Sequence, residues 1–210
     1  MIKGVAFDLY GTLLEVDVAK VMKIYNIFFA RLGLTKAQTR EAFQLLLVKN
    51  FESLGVLADH LNSNNELSKK EKVMLETSFI SLLEQAFVFE DVYPALMKLQ
   101  AFGFKTVVIS NVSTPFIEPF QRLIGDNINA SVFSCTFGQR KPSFDIFQEG
   151  CRKIDLKPDE VFMIGGSKVS DYIGAREAGM HSVLLERNIG VNTQDVLSIN
   201  SLDEVFYYLN

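Results

Sequence analysis

Residues 3–13 read Lys3-Gly4-Val5-Ala6-Phe7-Asp8-Leu9-Tyr10-Gly11-Thr12-Leu13, a short apolar run that ends on a carboxylate and a Gly-Thr turn. An apolar run of this length bounded by a turn signal is typical of a buried strand, which we place at Gly4 to Phe7. In open parallel sheets, ligands bind at the carboxyl ends of the strands. Asp8 therefore lies where a reaction centre is expected.

Strands and helices alternate along the second half of the chain. We predict strands at residues 105–110, 132–137, 161–164 and 182–185, and helices near residues 95–101, 114–123, 144–153 and 171–178. Such alternation implies right-handed crossovers and a parallel sheet, which the first strand must rejoin. The predicted fold class is therefore α/β, with a doubly wound, Rossmann-like parallel-sheet core.

A different pattern occupies the segment from about residue 18 to residue 87. Apolar residues recur there at helical spacing, with charged residues between them. Thr35 with Gln38, and Ser68 with Glu71, have the form of a capping box, which marks the start of a helix. We therefore predict that this whole segment is helical.

Gly33 and the polar cluster at residues 62–65 are predicted breaks between those helices. The chain is thus predicted to have two parts. Residues 1 to about 14 and about 90 to 210 form the α/β core, and residues 15–89 form an inserted all-helical cap.

Composition limits the class of function. The chain has 210 residues, of which 48% are hydrophobic, and a formal net charge of -4. It is long enough for a sizeable core and too apolar for wholesale disorder. The acidic balance gives no electrostatic footprint for nucleic acid or an anionic membrane surface, so we expect neither partner and a small molecule instead.

Location follows from a few further observations on the sequence. Its apolar runs fall far short of the ~20 residues that a membrane-spanning helix needs, and we recognise no signal peptide. Cys135 and Cys151 lack metal-like spacing and are expected to be reduced thiols. We therefore expect a cytoplasmic protein.

The predicted strand at residues 105–110 ends on Ser110, which Asn111 follows. Their hydroxyl and amide groups could hold an anionic oxygen of a substrate in the same crevice as Asp8. A strand end followed by serine or asparagine is also commonly only a turn or a helix cap. Both interpretations stay open on this motif alone.

Lys141 precedes a proline and a predicted helix, and Asp171 follows a strand that ends at Gly165-Gly166. A nearby ammonium favours the ionised form of Asp8 and offsets the charge of a bound anion. Taken singly, Lys141 is also compatible with a solvated surface lysine. Asp171 taken singly is compatible with a helix N-cap.

Together these motifs resemble those of the haloacid dehalogenase superfamily. The residues that carry the resemblance are Asp8-Leu9-Tyr10-Gly11-Thr12, Ser110-Asn111, Lys141-Pro142 and the stretch from Gly165 to Asp171. The resemblance implies a doubly wound core, a helical cap over the catalytic crevice, and Asp8 as a covalent nucleophile. Opening and closing of that cap would admit substrate and exclude water.

The motifs depart from those of the superfamily's phosphatases at two positions. Most of these phosphatases carry a second aspartate where this chain has Tyr10, and a magnesium-binding carboxylate where it has Gly166. Magnesium needs an octahedral oxygen site, typically with carboxylate ligands. We therefore predict no required metal or cofactor, with Asp8 and Asp171 as the ligands if magnesium binds after all.

Tyr10 and Thr12 match the 2-haloacid dehalogenase branch instead, which makes a dehalogenase-like hydrolase of a small anionic substrate the first hypothesis. The resemblance then implies two sets of site residues, catalytic Asp8, Lys141 and Asp171, and substrate-binding Tyr10, Thr12, Ser110, Asn111 and Arg40. Arg40 would bind the departing halide from the cap, although a surface arginine on a helix is the other interpretation. Asp171 is the predicted group that activates water.

Two alternative functions stay open. The first is a small-molecule phosphatase with a degenerate magnesium site, although phosphoryl transfer needs a leaving-group acid and a magnesium ion. The second is a catalytically inactive member that binds a small anion or a protein partner. Gly166 supports it, as does Lys168, which stands where the dehalogenase branch has an asparagine. The phenylalanines of the cap could serve a homodimer or only the core.

Overall fold

The computed structural model describes residues 1–61, 67–187 and 196–209. Its strands are β1 (Gly4–Phe7), β2 (Leu14–Glu15), β3 (Phe87–Val88), β4 (Lys105–Ser110), β5 (Ala130–Phe133), β6 (Val161–Gly165), β7 (His181–Leu185) and β8 (Ser198–Ile199). Its α-helices are α1 (Val18–Arg31), α2 (Lys36–Leu46), α3 (Leu54–His60), α4 (Lys69–Glu84), α5 (Val92–Ala101), α6 (Ile117–Leu123), α7 (Ser134–Phe137), α8 (Phe144–Lys153) and α9 (Gly174–Glu177). A π-helix spans Lys168–Ile173, and 3-10 turns lie at Thr114–Phe116, Gly125–Asn127, Pro158–Glu160 and Leu202–Tyr207.

Within the described ranges, six strands form one parallel sheet in the order β5-β4-β1-β6-β7-β8. β1 pairs with β4 on one side and with β6 on the other, so that Phe7 lies beside both Val108 and Ile164. The first strand of the chain therefore rejoins the strands that follow the helical segment, and the predicted parallel sheet is confirmed.

Side chains of the inner strands alternate between two hydrophobic clusters. Val5 and Phe7 pack on the face covered by α5, whereas Ala6 packs on the face covered by α8 and α9. All three side chains are fully buried. Burial on both faces explains why β1 is a continuous apolar run rather than an alternating one. The doubly wound arrangement, with helices on both faces, is thus confirmed.

Helices α1 to α4 pack around a third cluster of their own, which includes Phe28 and Leu57. Gly33, a predicted break, follows α1 with a φ of 70°, a left-handed conformation that glycine adopts readily. The antiparallel ribbon of β2 and β3 joins this helical unit to the sheet, since Glu15 lies opposite Phe87. The chain therefore leaves the sheet and returns to it at one place.

The two predicted capping boxes are confirmed. Thr35 Oγ1 accepts a hydrogen bond from the backbone N–H of Gln38, and Ser68 Oγ accepts one from that of Glu71, each at 3.3 Å. In both pairs the longer side chain accepts a hydrogen bond from the backbone N–H of the capping residue in return. The predicted break at residues 62–65 lies outside the described residues.

Two predicted elements are wrong in part. The strand predicted at residues 132–137 ends at Phe133, because Ser134–Phe137 forms α7, which is capped by Gly138 with a φ of 90°. Ser134 Oγ accepts a hydrogen bond from the backbone N–H of Val112, two residues after the end of the neighbouring strand β4, a contact that the local sequence does not indicate. The helix predicted at residues 171–178 begins earlier, as the π-helix from Lys168.

β8 forms one edge of the sheet, and the 3-10 turn at Leu202–Tyr207 follows it; the sequence predicts neither element. Among the described helices, none combines the length and the apolar character needed to cross a membrane.

Candidate active site

Three neighbouring strand ends meet at one edge of the sheet. Asp8 directly follows β1, Ser110 is the last residue of β4, and Gly165 is the last residue of β6. Because β1 lies between β4 and β6, these ends face a common crevice. Ser110 Oγ donates a hydrogen bond to Asp8 Oδ1 at 3.1 Å, so the structure brings these two predicted site residues together.

Lys141 bridges two carboxylates in this crevice. Its Nζ lies 2.7 Å from Asp8 Oδ1 and 2.6 Å from Asp171 Oδ1. The side chains of Lys141 and Asp171 are each 2% exposed, and that of Asp8 is 17% exposed. Two carboxylates thus share one buried ammonium, which leaves a net charge of about -1 on the cluster when all three groups are ionised.

Burial and mutual attraction determine how this cluster ionises. Burial raises the pKa of Asp171 above its ordinary value despite the attraction of Lys141, and the nearby charge of Asp8 adds to the rise. Burial alone would lower the pKa of Lys141, but the attraction of Asp171 and Asp8 outweighs it and raises that pKa. Lys141 is therefore an ammonium at neutral pH, and Asp171 has more proton affinity than an ordinary carboxylate. Such a carboxylate is suited to accept a proton during catalysis.

Asn111 fixes the backbone of Lys141. Its Nδ2 donates to the Lys141 carbonyl at 2.9 Å, and its Oδ1 accepts from the Lys141 N–H at 2.8 Å. Both ends of the amide are thus engaged by one residue. Asn111 lines the cavity beside Asp8, and these contacts add a positioning role that the sequence did not indicate.

Asp171 is held by the segment that follows β6. The Ser167 N–H donates to Asp171 Oδ2 at 2.8 Å, while Ser167 Oγ accepts from the Ser170 N–H at 3.1 Å. Gly165 makes room for this carboxylate, because a Cβ added there would collide with Asp171 Oδ2 and lie 2.5 Å from its Cγ. The approach of Asp171 to Lys141 therefore depends on a glycine at position 165.

The donors present do not fit a magnesium site. The two predicted ligands, Asp8 and Asp171, are both bound to the Lys141 ammonium, and magnesium demands near-octahedral oxygen ligands. The described part of the chain holds no cluster of three His, Cys, Asp or Glu residues that could bind a metal. Position 166 lacks a carboxylate although there is room for a side chain. A Cβ added at Gly166 would lie 3.7 Å from the nearest atom, the Leu185 carbonyl oxygen.

A cavity of about 370 Å³ lies above Asp8, between the sheet edge and the helical unit. Polar residues form its floor, namely Asp8, Ser110, Asn111, Lys141, Ser167, Ser170 and Asp171. Apolar residues between positions 16 and 47 form the facing wall, namely Val16, Val18, Val21, Met22, Phe43, Leu46 and Leu47. A cavity of this size and character is suited to a small organic molecule.

Two tyrosines line this cavity and contact the segment that follows β4. The Tyr10 hydroxyl donates to the Phe116 carbonyl at 3.0 Å, and its ring packs edge-on against the Phe116 ring. The Tyr25 hydroxyl of α1 lies 3.0 Å from Ser113 Oγ. Burial raises the pKa of Tyr10, and it raises the pKa of Tyr25 to about 12, so neither hydroxyl is an ionised group at neutral pH. Tyr25 and Ser113 had not been predicted as site residues, because helical spacing indicates only that Tyr25 is buried.

Thr12, a predicted substrate-binding residue, does not line this cavity. Its side chain is fully buried, and its Oγ1 has no hydrogen-bond partner among the described residues. The chain turns back after Leu9, whose carbonyl accepts from the Thr12 N–H, and the Thr12 carbonyl accepts from Arg187 Nη2 at 2.6 Å. Thr12 therefore belongs to the turn beneath the site.

Arg40, the predicted cation of the cap, also lies outside the cavity. It is exposed on α2, one helical turn before Phe43. Near this helix the cavity is lined by Phe43 and Leu46 of α2 and by Leu47, which follows it, all of them uncharged. Lys168 is likewise exposed and is not a lining residue. The predicted halide-binding arginine is thus not in contact with the site in this structure.

Comparison with known proteins extends this picture. The model of the haloacid dehalogenase-like hydrolase family matches residues 2–179. The glyceraldehyde 3-phosphate phosphatase of Methanothermobacter thermautotrophicus is 27% identical over 97% of this chain and 94% of its own length. (S)-2-haloacid dehalogenase 1 of a Pseudomonas species is 23% identical over 89% of this chain and 85% of its own.

Among solved structures, a 2-haloacid dehalogenase from Pseudomonas syringae pv. Tomato superposes with a TM-score of 0.71. That comparison covers 100% of this chain and 98% of the other, at 23% identity. At this level of identity, the likeness shows a shared fold.

Proposed function

Because the chain belongs to the haloacid dehalogenase-like hydrolases, we propose that Asp8 is the nucleophile in the hydrolytic dehalogenation of a small 2-haloacid. The observation that carries this proposal is the ion cluster on the cavity floor. Among the described residues, Lys141 is the one cation that pairs with Asp8 and Asp171, and the position two residues after Asp8 holds a tyrosine. Displacement at carbon asks only for an ionised nucleophile, donors for the substrate carboxylate and room for the leaving halide.

The first proposed step uses the oxygen of Asp8 that the cluster leaves open. Oδ1 accepts hydrogen bonds from Lys141 and Ser110, whereas Oδ2 accepts none from the described residues. Oδ2 attacks carbon 2 of the haloacid, an ester bond forms there, and the halide leaves with the electron pair of the broken bond. Oδ1 then becomes the carbonyl oxygen of the ester, with both donors still in place.

The second proposed step hydrolyses that ester. A water molecule gives a proton to Asp171 and attacks Cγ of Asp8, so negative charge develops on Oδ1, where Lys141 and Ser110 already donate. Collapse expels the product alkoxide, which takes the proton from Asp171 and leaves as a 2-hydroxyacid. The Asp8 carboxylic acid then loses its proton to solvent, which restores the nucleophile.

A phosphatase is the second candidate, and the similarity to a glyceraldehyde 3-phosphate phosphatase over nearly the whole chain favours it. Against it, a phosphate dianion would meet a cavity floor where Asp8 and Asp171 share one ammonium. Phosphoryl transfer also relies on a magnesium ion to gather charge. A purely binding role is the third candidate, and Gly166 and Lys168 are the residues that support it.

One panel of assays separates these candidates. Halide release from 2-haloacids and phosphate release from phosphomonoesters would each be measured with magnesium and with a chelator. We expect halide release that the chelator does not inhibit, because the cluster supplies its own cation. Magnesium-dependent phosphate release would refute the dehalogenase assignment, and absence of turnover on both panels would favour the binding role.

Gly165→Ala tests how closely catalysis depends on the position of Asp171. An added methyl group would displace the Asp171 carboxylate, and misplacement of a catalytic group by about 1 Å can cost about 10²-fold in rate. We therefore expect kcat to fall by about that factor, with a smaller change in KM. The measurements are steady-state kinetics on the active substrate and thermal unfolding.

Gly4→Ala is the matched control for this substitution. Its added Cβ would also be crowded, at 2.6 Å from Leu156 Cδ1, but at the far end of β1 and against the tip of a flexible side chain. It should cost stability without a comparable loss of kcat. Equal loss of kcat in both variants would show that strain in the sheet, and not Asp171, is responsible.

A further inference from the structure

The described residues of the wall that faces Asp8 include no charged group. Helices α1 and α2 are fully described, and every side chain that they place in the cavity is aliphatic, aromatic or thioether, for example Val21, Met22, Phe43 and Leu46. Apolar walls bind apolar groups, because the water that covers both surfaces is released on contact. The part of a substrate that points away from Asp8 is therefore expected to be hydrocarbon.

The charge on the floor sets a second constraint. Lys141 is the one cation among the described residues that line the cavity, and Asp8 and Asp171 already share it. A second negative charge on a substrate would thus be desolvated without a partner, which is costly. One carboxylate can still be bound by neutral donors. The Ser170 hydroxyl lines the floor and has no hydrogen-bond partner in the described residues.

We propose that the substrate is a monoanionic 2-haloacid with an alkyl chain or a phenyl ring that packs against α1 and α2. The identity of the reacting bond rests on the function proposed above, whereas the apolar substituent and the single charge rest on the cavity itself. A cavity of about 370 Å³ leaves most of its space unfilled when a two- or three-carbon acid occupies the floor. The chain or ring fills that space.

The first test compares 2-bromopropanoate, 2-bromobutanoate, 2-bromohexanoate and the dianion 2-bromosuccinate on the intact protein. Burial of each added methylene should raise kcat/KM by about threefold to fourfold. 2-Bromosuccinate should be a poorer substrate than 2-bromobutanoate, which has the same number of carbons and one charge fewer. If 2-bromopropanoate is turned over but kcat/KM is flat or falls along the series, the substrate class is refuted and the dehalogenase function stands.

A pair of variants on α1 connects this preference to the wall. Met22 and Ile27 are similarly exposed, at 39% and 42%, but only Met22 lines the cavity. Met22→Gln should lower the ratio of kcat/KM for 2-bromohexanoate over 2-bromopropanoate by about threefold or more. Ile27→Gln should leave that ratio unchanged. An unchanged ratio in Met22→Gln would contradict contact between the alkyl chain and α1.

The preference for an apolar, singly charged ligand can also be measured as binding, without turnover. Calorimetric titration of Asp8→Asn with hexanoate, butanoate, propanoate and succinate removes any dependence on the chemical step. Hexanoate should bind at least tenfold more tightly than propanoate, and succinate more weakly than butanoate. Tight hexanoate binding by Asp8→Asn, together with no halide release by the parent protein, would refute the dehalogenase function and retain the substrate class. Equal binding of hexanoate and propanoate would refute the class itself.

Discussion

Asp8→Asn is expected to abolish turnover, with kcat lowered by at least about 10⁴-fold, a loss typical of removing a nucleophile. The carboxamide carries no charge and cannot form the proposed ester. The fold should survive, because the substitution removes one of the two carboxylates that share the Lys141 ammonium. Loss of activity with unchanged thermal unfolding would thus locate the effect in the chemistry.

The chemistry can also be observed directly by mass spectrometry. In a single turnover in ¹⁸O-labelled water, the proposed route places the label in the Asp8 carboxylate and not in the product hydroxyl, since water attacks Cγ of the ester. For the Asp8→Asn variant, the matched control is Asp145→Asn. It makes the same chemical change at an exposed carboxylate, which accepts a hydrogen bond from Gln139. Label found in the product of the first turnover would contradict an ester on Asp8.

Lys141→Met is expected to have the largest effect on stability. It leaves Asp8 and Asp171 facing each other without the ammonium that now lies within 2.7 Å of both. Removing one partner of a buried ion pair typically costs about 3–5 kcal/mol in the free energy of unfolding. Activity should vanish as well, because Oδ1 of Asp8 loses a charged donor. Urea denaturation at neutral pH, beside an activity assay, measures both effects.

This cost should depend on pH in a definite direction. Burial already raises the pKa of Asp171 in the folded protein, and loss of Lys141 removes the attraction that opposes the rise. A carboxyl group whose pKa is higher in the folded state contributes stability that is complete below its unfolded pKa of about 3.9 and is lost as pH rises through the folded value. The gap in stability between Lys141→Met and the parent should therefore be widest at neutral pH and narrow towards about pH 4.

The double variant Lys141→Met/Asp171→Asn provides the control. Replacing Asp171 with its neutral isostere removes the uncompensated charge and should restore part of the lost stability at neutral pH, without restoring activity. If the single and double variants unfold at the same urea concentration at every pH, the carboxylate of Asp171 is not the source of the destabilisation.

The strand ends of the site could be predicted from the sequence because each is a local pattern. β1 and β4 have the limits expected from their apolar runs, and β6 extends only to Gly165, one residue further. The side chains that follow such ends share one edge of a parallel sheet. Asp8 and Ser110 could therefore be placed together from their positions alone, and the structure shows a hydrogen bond between them.

Other features depend on residues far apart in the chain, which no local pattern reports. The two hydrogen bonds between the Asn111 side chain and the Lys141 backbone join segments 30 residues apart. α7 replaces the end of a predicted strand where Ser134 meets Val112. The spacing of apolar residues in α2 predicts a helix, but it does not predict that Phe43 lines the cavity and that Arg40 does not. Each of these features depends on tertiary contacts, which the local sequence does not determine.

The ribbon of β2 and β3 has a consequence for how such a protein can change over generations. Since Glu15 and Phe87 lie opposite each other, the ends of the helical insertion are neighbours in space. Helices between them can be lengthened, shortened or exchanged without shifting the register of β1 against β4 and β6. The apolar wall of the cavity and the residues that react with the substrate are thus encoded by separate stretches of the gene, and mutations can change one of them without altering the other.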